Sequence, residues 1–303
     1  MRTLLLAAIL AAGCGGSSAM TAEVRDLRLP IPSADPKYID FVGLDGVIMP
    51  GEDKMLCLHL RYDGEDTAFS YVDAQQSKFG HHFVLLASKE PKPPGTMEDC
   101  SKPEDMAKFD LFAIPSVELP AGHGFFIPKG KAVVSQSHYI NSGKQPILIR
   151  DIIRLRRMEI KDVTTWVAPF ATNSFDIKIP PQGRAESTFD CTLPADLELL
   201  FMLGHMHEWG SQFEFKIGPD ASNLASMYKV DNWVADYRDN PPTTTFFQSP
   251  KLLKAGTVVR THCEWKSDQD KDLVFPHEMC VASGIVAGRK APWLCNHGEG
   301  VTP

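Results

Sequence analysis

The chain reads as an all-β protein made of two tandem antiparallel β-sandwich, jelly-roll-like domains. Helical periodicity is scarce, short β-rich runs recur along the whole length, and Pro and Gly punctuate the intervals between them. The runs are Met55 to Tyr62, His82 to Ala87, Gly124 to Ile127, Lys131 to Ser135, Pro146 to Arg150, Ser174 to Ile179, Gln212 to Ile217 and Thr257 to Arg260. PKPPG from Pro91, PKG from Pro128, PPQG from Pro180 and DNPP from Asp239 supply turn chemistry, because Pro presets φ and Gly accepts backbone conformations closed to other residues.

The first residues, MRTLLLAAILAAGC, hold one basic residue, Arg2, and an apolar run from Leu4 to Ala12 that is far shorter than the roughly 20 residues a membrane span needs. They read as a secretory signal. Ala11-Ala12-Gly13-Cys14 has the form of a bacterial lipobox, with Cys14 as the lipid-bearing residue; cleavage to a soluble periplasmic or secreted protein is the alternative. Residues 1–23 are then signal and tether, 24–170 the first domain and 171–303 the second. The boundary is placed in Ala168 to Asn173, before the fresh run SFDIKI, where it divides the cysteines of the mature chain two and four.

With 31 basic against 38 acidic residues and no basic run, nucleic acid is excluded as a natural partner. Cys57, Cys100, Cys191, Cys263, Cys280 and Cys295 form an even set in an exported chain, which argues for three disulfides. No C-x-x-C motif supports thiolate metal binding.

The chemistry is carried by histidines. His205 and His207, in LGHMHEWG, are two apart, so in a strand they share a face and can bind one metal. Met279 in PHEMC offers a soft thioether, which favours reduced copper over zinc; taken alone, it reads as core filler. His81 and His82 are adjacent, and adjacent strand residues face opposite ways. Both reach one ion only at a strand end or bulge, or by using different ring nitrogens. His138, in SQSHYIN, completes a three-imidazole site. His59, His123, His262, His277 and His297 are assigned to surface or hydrogen-bonding roles, with His277 marked for its position two residues before Met279.

Taken together these elements resemble the copper type II, ascorbate-dependent monooxygenases, the family of dopamine beta-monooxygenase and peptidylglycine alpha-hydroxylating monooxygenase. The family's tandem-histidine motif is matched by His81-His82, its Q-x-H-Y element by Gln136, His138 and Tyr139, and its H-x-H-x-x-G element by His205, His207 and Gly210. Its D-E-M-C element is matched by His277, Glu278, Met279 and Cys280, with His in place of the first acid. The likeness runs from about Asp45 to Cys295.

It implies two copper ions per chain facing each other across a solvent-filled cleft. His81, His82 and His138, with Gln136 beside them, would hold the electron-relaying copper. His205, His207 and Met279 would hold the catalytic copper, where dioxygen is activated for hydroxylation of a C–H bond. It also implies the bridges Cys57–Cys100, Cys191–Cys295 and Cys263–Cys280. The partners would be a small-molecule substrate, dioxygen and an external ascorbate-like reductant, with membrane contact only through the lipid on Cys14. The arginine that anchors peptide carboxylates in part of the family is Leu203 here, and the helpful tyrosine beyond D-E-M-C falls near Ser283, so a glycine-extended peptide is not the expected substrate. Glu208 and Glu278 lie close in sequence to ligands, as solvated or supporting groups. The competing function is a non-catalytic copper-binding lipoprotein, to which the same Met and His ligands are suited. A β-protein with structural zinc, adhesive or carbohydrate-binding, has strand content alone behind it.

Overall fold

The computed structural model describes residues 23–296 and 299–301. The signal segment, Cys14 and His297 lie outside the described residues. With 54% strand and 4% helix the chain is all-β.

The strands that build the architecture are, in chain order, β1 (Tyr38–Ile48), β2 (Asp53–Arg61), β3 (Thr67–Gln75), β4 (Gly80–Ser88), β5 (Phe109–Ala113), β6 (His123–Ile127), β7 (Ala132–Ile140) and β8 (Ile147–Met158). They continue with β9 (Thr165–Ser174), β10 (Arg184–Thr192), β11 (Leu197–His205), β12 (Gly210–Gly218), β13 (Ala225–Val230), β14 (Val258–Lys266), β15 (Cys280–Ala287) and β16 (Trp293–Asn296).

One large sheet runs through both halves in the order β8-β3-β6-β9-β15-β11, with β1 paired to β8 and β16 to β9. In the first half it faces a sheet in which β2, β7, β4 and β5 follow one another; in the second it faces β10-β14-β12-β13. Each half is thus a sandwich closed over its own apolar cluster. β14 shows the alternation such a layer demands: Val259, Thr261, Cys263 and Trp265 point inward, while Arg260, His262 and Glu264 point toward solvent.

The two halves are not separate bodies on a linker. The stretch Ala168 to Asn173, expected to be a domain boundary, lies inside β9. That strand pairs with β6 of the first half at Thr165–Val167 and with β15 of the second from Val167 to Ser174. The sequence suggests a boundary here because the run SFDIKI follows and because it divides the cysteines two and four. Pro169 falls where one edge of β9 changes partner, after the ladder with β6 ends at Val167 and before that with β16 begins at Phe170. Nor is SFDIKI a fresh strand. β9 ends at Ser174, and only Lys178–Ile179 pairs again, with Leu273–Val274.

β9, β11 and β15 carry almost unbroken apolar runs because both of their faces are covered. Phe170, Leu199, Met202 and Val286 enter the core of the second half, whereas Val167, Leu200, Phe201 and Ile285 enter that of the first.

The three bridges form as expected: Cys57–Cys100, Cys191–Cys295 and Cys263–Cys280. The last two join the β10-β14-β12-β13 sheet to the large sheet, so they staple the two layers of the second sandwich. Closing loops of 43, 104 and 17 residues, each would stabilise the fold by about 3–5 kcal/mol through lost freedom of the unfolded chain. All six cysteines among the described residues are paired, which points to an oxidising compartment. No described helix is long and apolar enough to cross a membrane.

Because Phe201 belongs to the second half in sequence and to the first half's core in space, Phe201→Ala should cost about 3–5 kcal/mol and lower one common unfolding transition. Calorimetry or urea denaturation with two probes, one in each half, checks this. Two separate transitions with only one displaced would contradict the shared core.

Candidate metal centre

β4 opens on a bulge. Gly80 pairs with Tyr139 and His82 with His138, and His81 is the extra residue between them. The preceding Phe79 adopts φ +75°, which aims the chain into this irregularity. The bulge resolves the problem posed by adjacent histidines, because both now reach the same side as His138. The ligand nitrogens of His81, His82 and His138 all lie within 4.8 Å of one another. His138 is held from behind by its strand: its neighbours Ser137 and Tyr139 donate to the buried carboxylate of Asp151 on β8. Burial pushes that carboxyl up to about 6.

The second pair comes from the end of β11 and the turn into β12. His205 is the last residue of β11, and His207 follows within the turn. The turn is organised by Glu278, a fully buried carboxylate that accepts from His207 N–H at 2.9 Å, Trp209 N–H at 2.8 Å, Trp265 Nε1 at 2.9 Å and Met279 N–H at 3.3 Å. Burial raises its pKa to about 7 although all four donors favour the charged form. Trp233 Nε1 donates to the His207 carbonyl at 2.9 Å, and its indole packs over Gly210, where a Cβ would come within 2.7 Å of the ring. That close approach accounts for the glycine three residues after His207.

The two groups of imidazoles meet. The ring centroid of His207 lies 5.3 Å from that of His81 and 6.0 Å from that of His82, and His205 lies 6.5 Å from His82. Within the groups, His81–His138 and His205–His207 are 4.7 and 5.1 Å apart. The two ligand groups are therefore not parted by a solvent-filled cleft, as the resemblance implied. The shared sheet draws the two halves together, and the two groups of imidazoles lie against each other.

Their hydrogen bonding leaves lone pairs available. His207 Nδ1 is 3.0 Å from the His277 carbonyl, so it carries the proton and donates, while the buried Nε2 has no partner. His138 directs Nε2 to Asp53 at 2.6 Å and leaves Nδ1 without one. Both nitrogens of His82 are buried and unpartnered. A buried polar nitrogen without a partner is costly unless something binds there. Burial, and then the mutual repulsion of neighbouring imidazolium charges, holds His81 at about 3 and His82 and His207 well below the ordinary range. Burial also lowers His205 to about 4. At neutral pH these four rings are uncharged, the form that coordinates a metal. A group of neutral, soft-to-borderline nitrogens with buried, unsatisfied atoms fits a copper or zinc ion.

Met279 is less directly placed. Its backbone shares Glu278 with His207, but its side chain is buried in an apolar cluster with Met55, Leu86, Phe109, Val134, Phe275 and the Cys57–Cys100 bridge. Gln136, expected beside the first three histidines, turns its amide to Met106 Sδ at 3.0 Å and toward the Cys57 and Cys100 sulfurs. On β7 it shares the face of His138 but lies two residues deeper, above the bridge.

Sequence reasoning missed Asp53 and Trp233, while Glu278 takes the supporting one of the two roles that it allowed. His59 pairs with Glu98 at 2.7 Å, His123 is 3.3 Å from the Ala121 carbonyl and His262 lies against Thr188 and Glu264, so these three take the supporting roles expected. Among the described residues a further Glu186–His262–Glu264 group lies on the outward face of the second half.

No family model matches the chain, and no curated protein does. Among solved structures, the major capsid protein P2 of bacteriophage PM2 aligns at 10% identity over 83% of this chain and 98% of its own, with a TM-score of 0.30. PNGase F, a glycosylasparaginase from Flavobacterium meningosepticum, aligns at 9% over 89% and 96%, with a TM-score of 0.31. Likeness at this level says nothing of chemistry.

The depressed histidine pKa values carry a sign. The unfolded chain binds protons below about 6.5 that the folded chain refuses until about 3–4. The contribution of these rings is thus fully present above pH 6.5 and is lost as the pH falls toward 4. Glu278 and Asp151, raised to about 7 and 6, work in the opposite direction, so the comparison must be between variants. Chelator-treated parent should lose more stability between pH 7.5 and 5.0 than His205→Gln does, measured by urea midpoints. Equal losses would mean that His205 is not a buried neutral ring.

Proposed function

We propose that this chain is an exported copper-dependent monooxygenase related to the ascorbate-dependent family it resembles. It would hydroxylate a C–H bond of a small molecule with dioxygen and an ascorbate-like reductant. The observation that supports this reading most is the meeting of two groups of imidazoles, five rings in all, four of them held neutral by burial and three with unpartnered nitrogens. Random surface histidines hydrogen-bond to water or carbonyls; buried and orphaned ones call for a ligand.

In this reading His81, His82 and His138 hold one copper and His205, His207 and Met279 the other. His138 offers Nδ1 and His207 offers Nε2, because their remaining nitrogens are engaged. Copper, when bound, supplies the one-electron redox chemistry and dioxygen activation that C–H hydroxylation requires. The protein's own part is to orient the rings, to keep them unprotonated and to exclude bulk water; His138 and His207 are 2% and 1% exposed. Met279 is the soft donor of the second set, drawn from a cluster already rich in sulfur. Lipidation of Cys14 would tether the protein to the cell envelope through residues 15–23. Cys14→Ser should then move it from the membrane to the soluble fraction, and an unchanged distribution would remove the anchor from the proposal.

A copper-handling lipoprotein is the second reading. What favours it is the closeness of the two ligand groups and the burial of His138 and His207, since a store needs no substrate to approach the metal.

Anaerobic titration with reduced copper, followed by ascorbate-driven oxygen uptake, separates the two. Two ions should bind, and His138→Ala should lose one. Met279→His exchanges the thioether for a donor that favours oxidised copper, so it should retain two ions yet lose most oxygen-dependent turnover. Two bound ions with no uptake for any substrate class would favour the copper-handling protein. Preference for zinc over reduced copper would refute both readings.

A further inference from the structure

Groups outside the ligand set hold the histidines, and one of them touches both halves of the chain. Asp53 opens β2, two residues before Met55, the cross-strand partner of His138. From that diagonal position its carboxylate reaches His138 Nε2 at 2.6 Å, while the buried Nδ1 of the same ring stays unpartnered. The second oxygen of Asp53 lies 3.8 Å from His277 Nδ1. The carbonyl of His277 in turn accepts from Nδ1 of His207 at 3.0 Å, which leaves Nε2 of that ring available. One chain of contacts therefore runs from His138 through Asp53 and His277 to His207.

We propose that Asp53 is a positioning residue for metal binding, which selects the nitrogen that His138 offers and, through His277, couples the orientation of one histidine group to that of the other. The inference rests on the metal-binding reading above.

An ordinary surface ion pair is the competing explanation for Asp53, and the burial of its partner argues against it. The carboxylate is 36% exposed but the imidazole it engages only 2%, so solvent screens and replaces this hydrogen bond less than one between two exposed groups. The carboxyl of Asp53 is held below its usual range, first by the hydrogen bond from His138. A ring whose Nε2–H is given to a carboxylate can present only Nδ1 to a metal, and the carboxylate raises the basicity of that nitrogen. His277 adds what a lone carboxylate cannot. It belongs to the loop carrying Glu278 and Met279, so the pair Asp53–His277 spans the junction of the two halves. This gives His277, which stands where the resembled family has an acid, a physical reason to be a histidine.

The test uses the full chain, stripped of metal and titrated with copper alone. Affinity is read by competition with a chromogenic chelator, and the oxidised ion is examined by pulsed electron paramagnetic resonance, which senses the remote nitrogen of each coordinated imidazole. Asp53→Ala should weaken copper binding by ~10–100-fold and alter the remote-nitrogen signature of one imidazole. Asp53→Asn keeps an acceptor without the charge, and should restore the signature more than the affinity. His277→Ala keeps its own carbonyl, so its smaller effect should vanish in the Asp53→Ala background.

A parent that binds copper while Asp53→Ala shows unchanged affinity and signature overturns this inference and leaves the copper reading intact. A parent that binds no copper overturns both. Should Asp53→Ala fail to fold, Asp53→Asn decides by the same two readouts: a parent-like affinity and signature would overturn the role, and a weakened affinity would support it.

Discussion

Burial of β9, β11 and β15 on both faces is the constraint from which the rest of this structure follows. An isolated sandwich would expose Val167, Leu200, Phe201 and Ile285, and the cost of leaving each such side chain in water is roughly 1.5–3 kcal/mol. Covering them with the first half's strands makes the two sandwiches share a sheet and a core. That sharing brings the end of β11, which carries His205, against the start of β4, which carries His81 and His82. The histidine cluster is thus a consequence of packing as much as of its own polar contacts.

Packing brings the rings together, but polar groups decide how they point. Glu278 gathers four N–H donors from three separate segments, which fixes the turn holding His207. Without it those donors would be buried unpaired, at about 1–3 kcal/mol each. Asp151 does comparable work behind His138, where Ser137 and Tyr139 anchor β7. Each costs desolvation of a carboxylate, visible in the raised pKa of both acids. Such an expense is rarely sustained for stability alone, since apolar replacements of equal volume hold a core at least as well. What both carboxylates hold in place is backbone at or beside an imidazole, that of His207 for Glu278 and that flanking His138 for Asp151.

Much of this was legible in the chain itself. In β12 and β14 apolar and polar side chains alternate, the pattern of a strand with one wet face. β11 and β15 show no such pattern, because a strand buried on both faces reads as a plain apolar run. The same ambiguity concealed the true nature of Ala168 to Asn173, which lies inside β9 where one edge of the strand changes partner. Gln136 was placed by the Q-x-H-Y element of the family resemblance, which gives the face of the strand but not the depth along it; the sulfurs of Met106 and the Cys57–Cys100 bridge claim its amide instead. Asp53 left no local signal, being 28 residues from His81 and 85 from His138, so its role is a product of strand register.

By itself the sequence determined the all-β class, the even cysteine set, and which side chains are chemically able to bind a soft metal. These are properties of residue type and of short-range period, and they survive without knowledge of distant neighbours. Tertiary structure alone decided that the two histidine groups lie against each other with no cleft between them, which nitrogen His138 and His207 leave free, and that strands of the second half help to fill the first half's core. Those outcomes depend on which strands lie side by side. Register across a sheet is settled by the burial of whole faces, a sum over residues far apart in the chain that no local pattern contains.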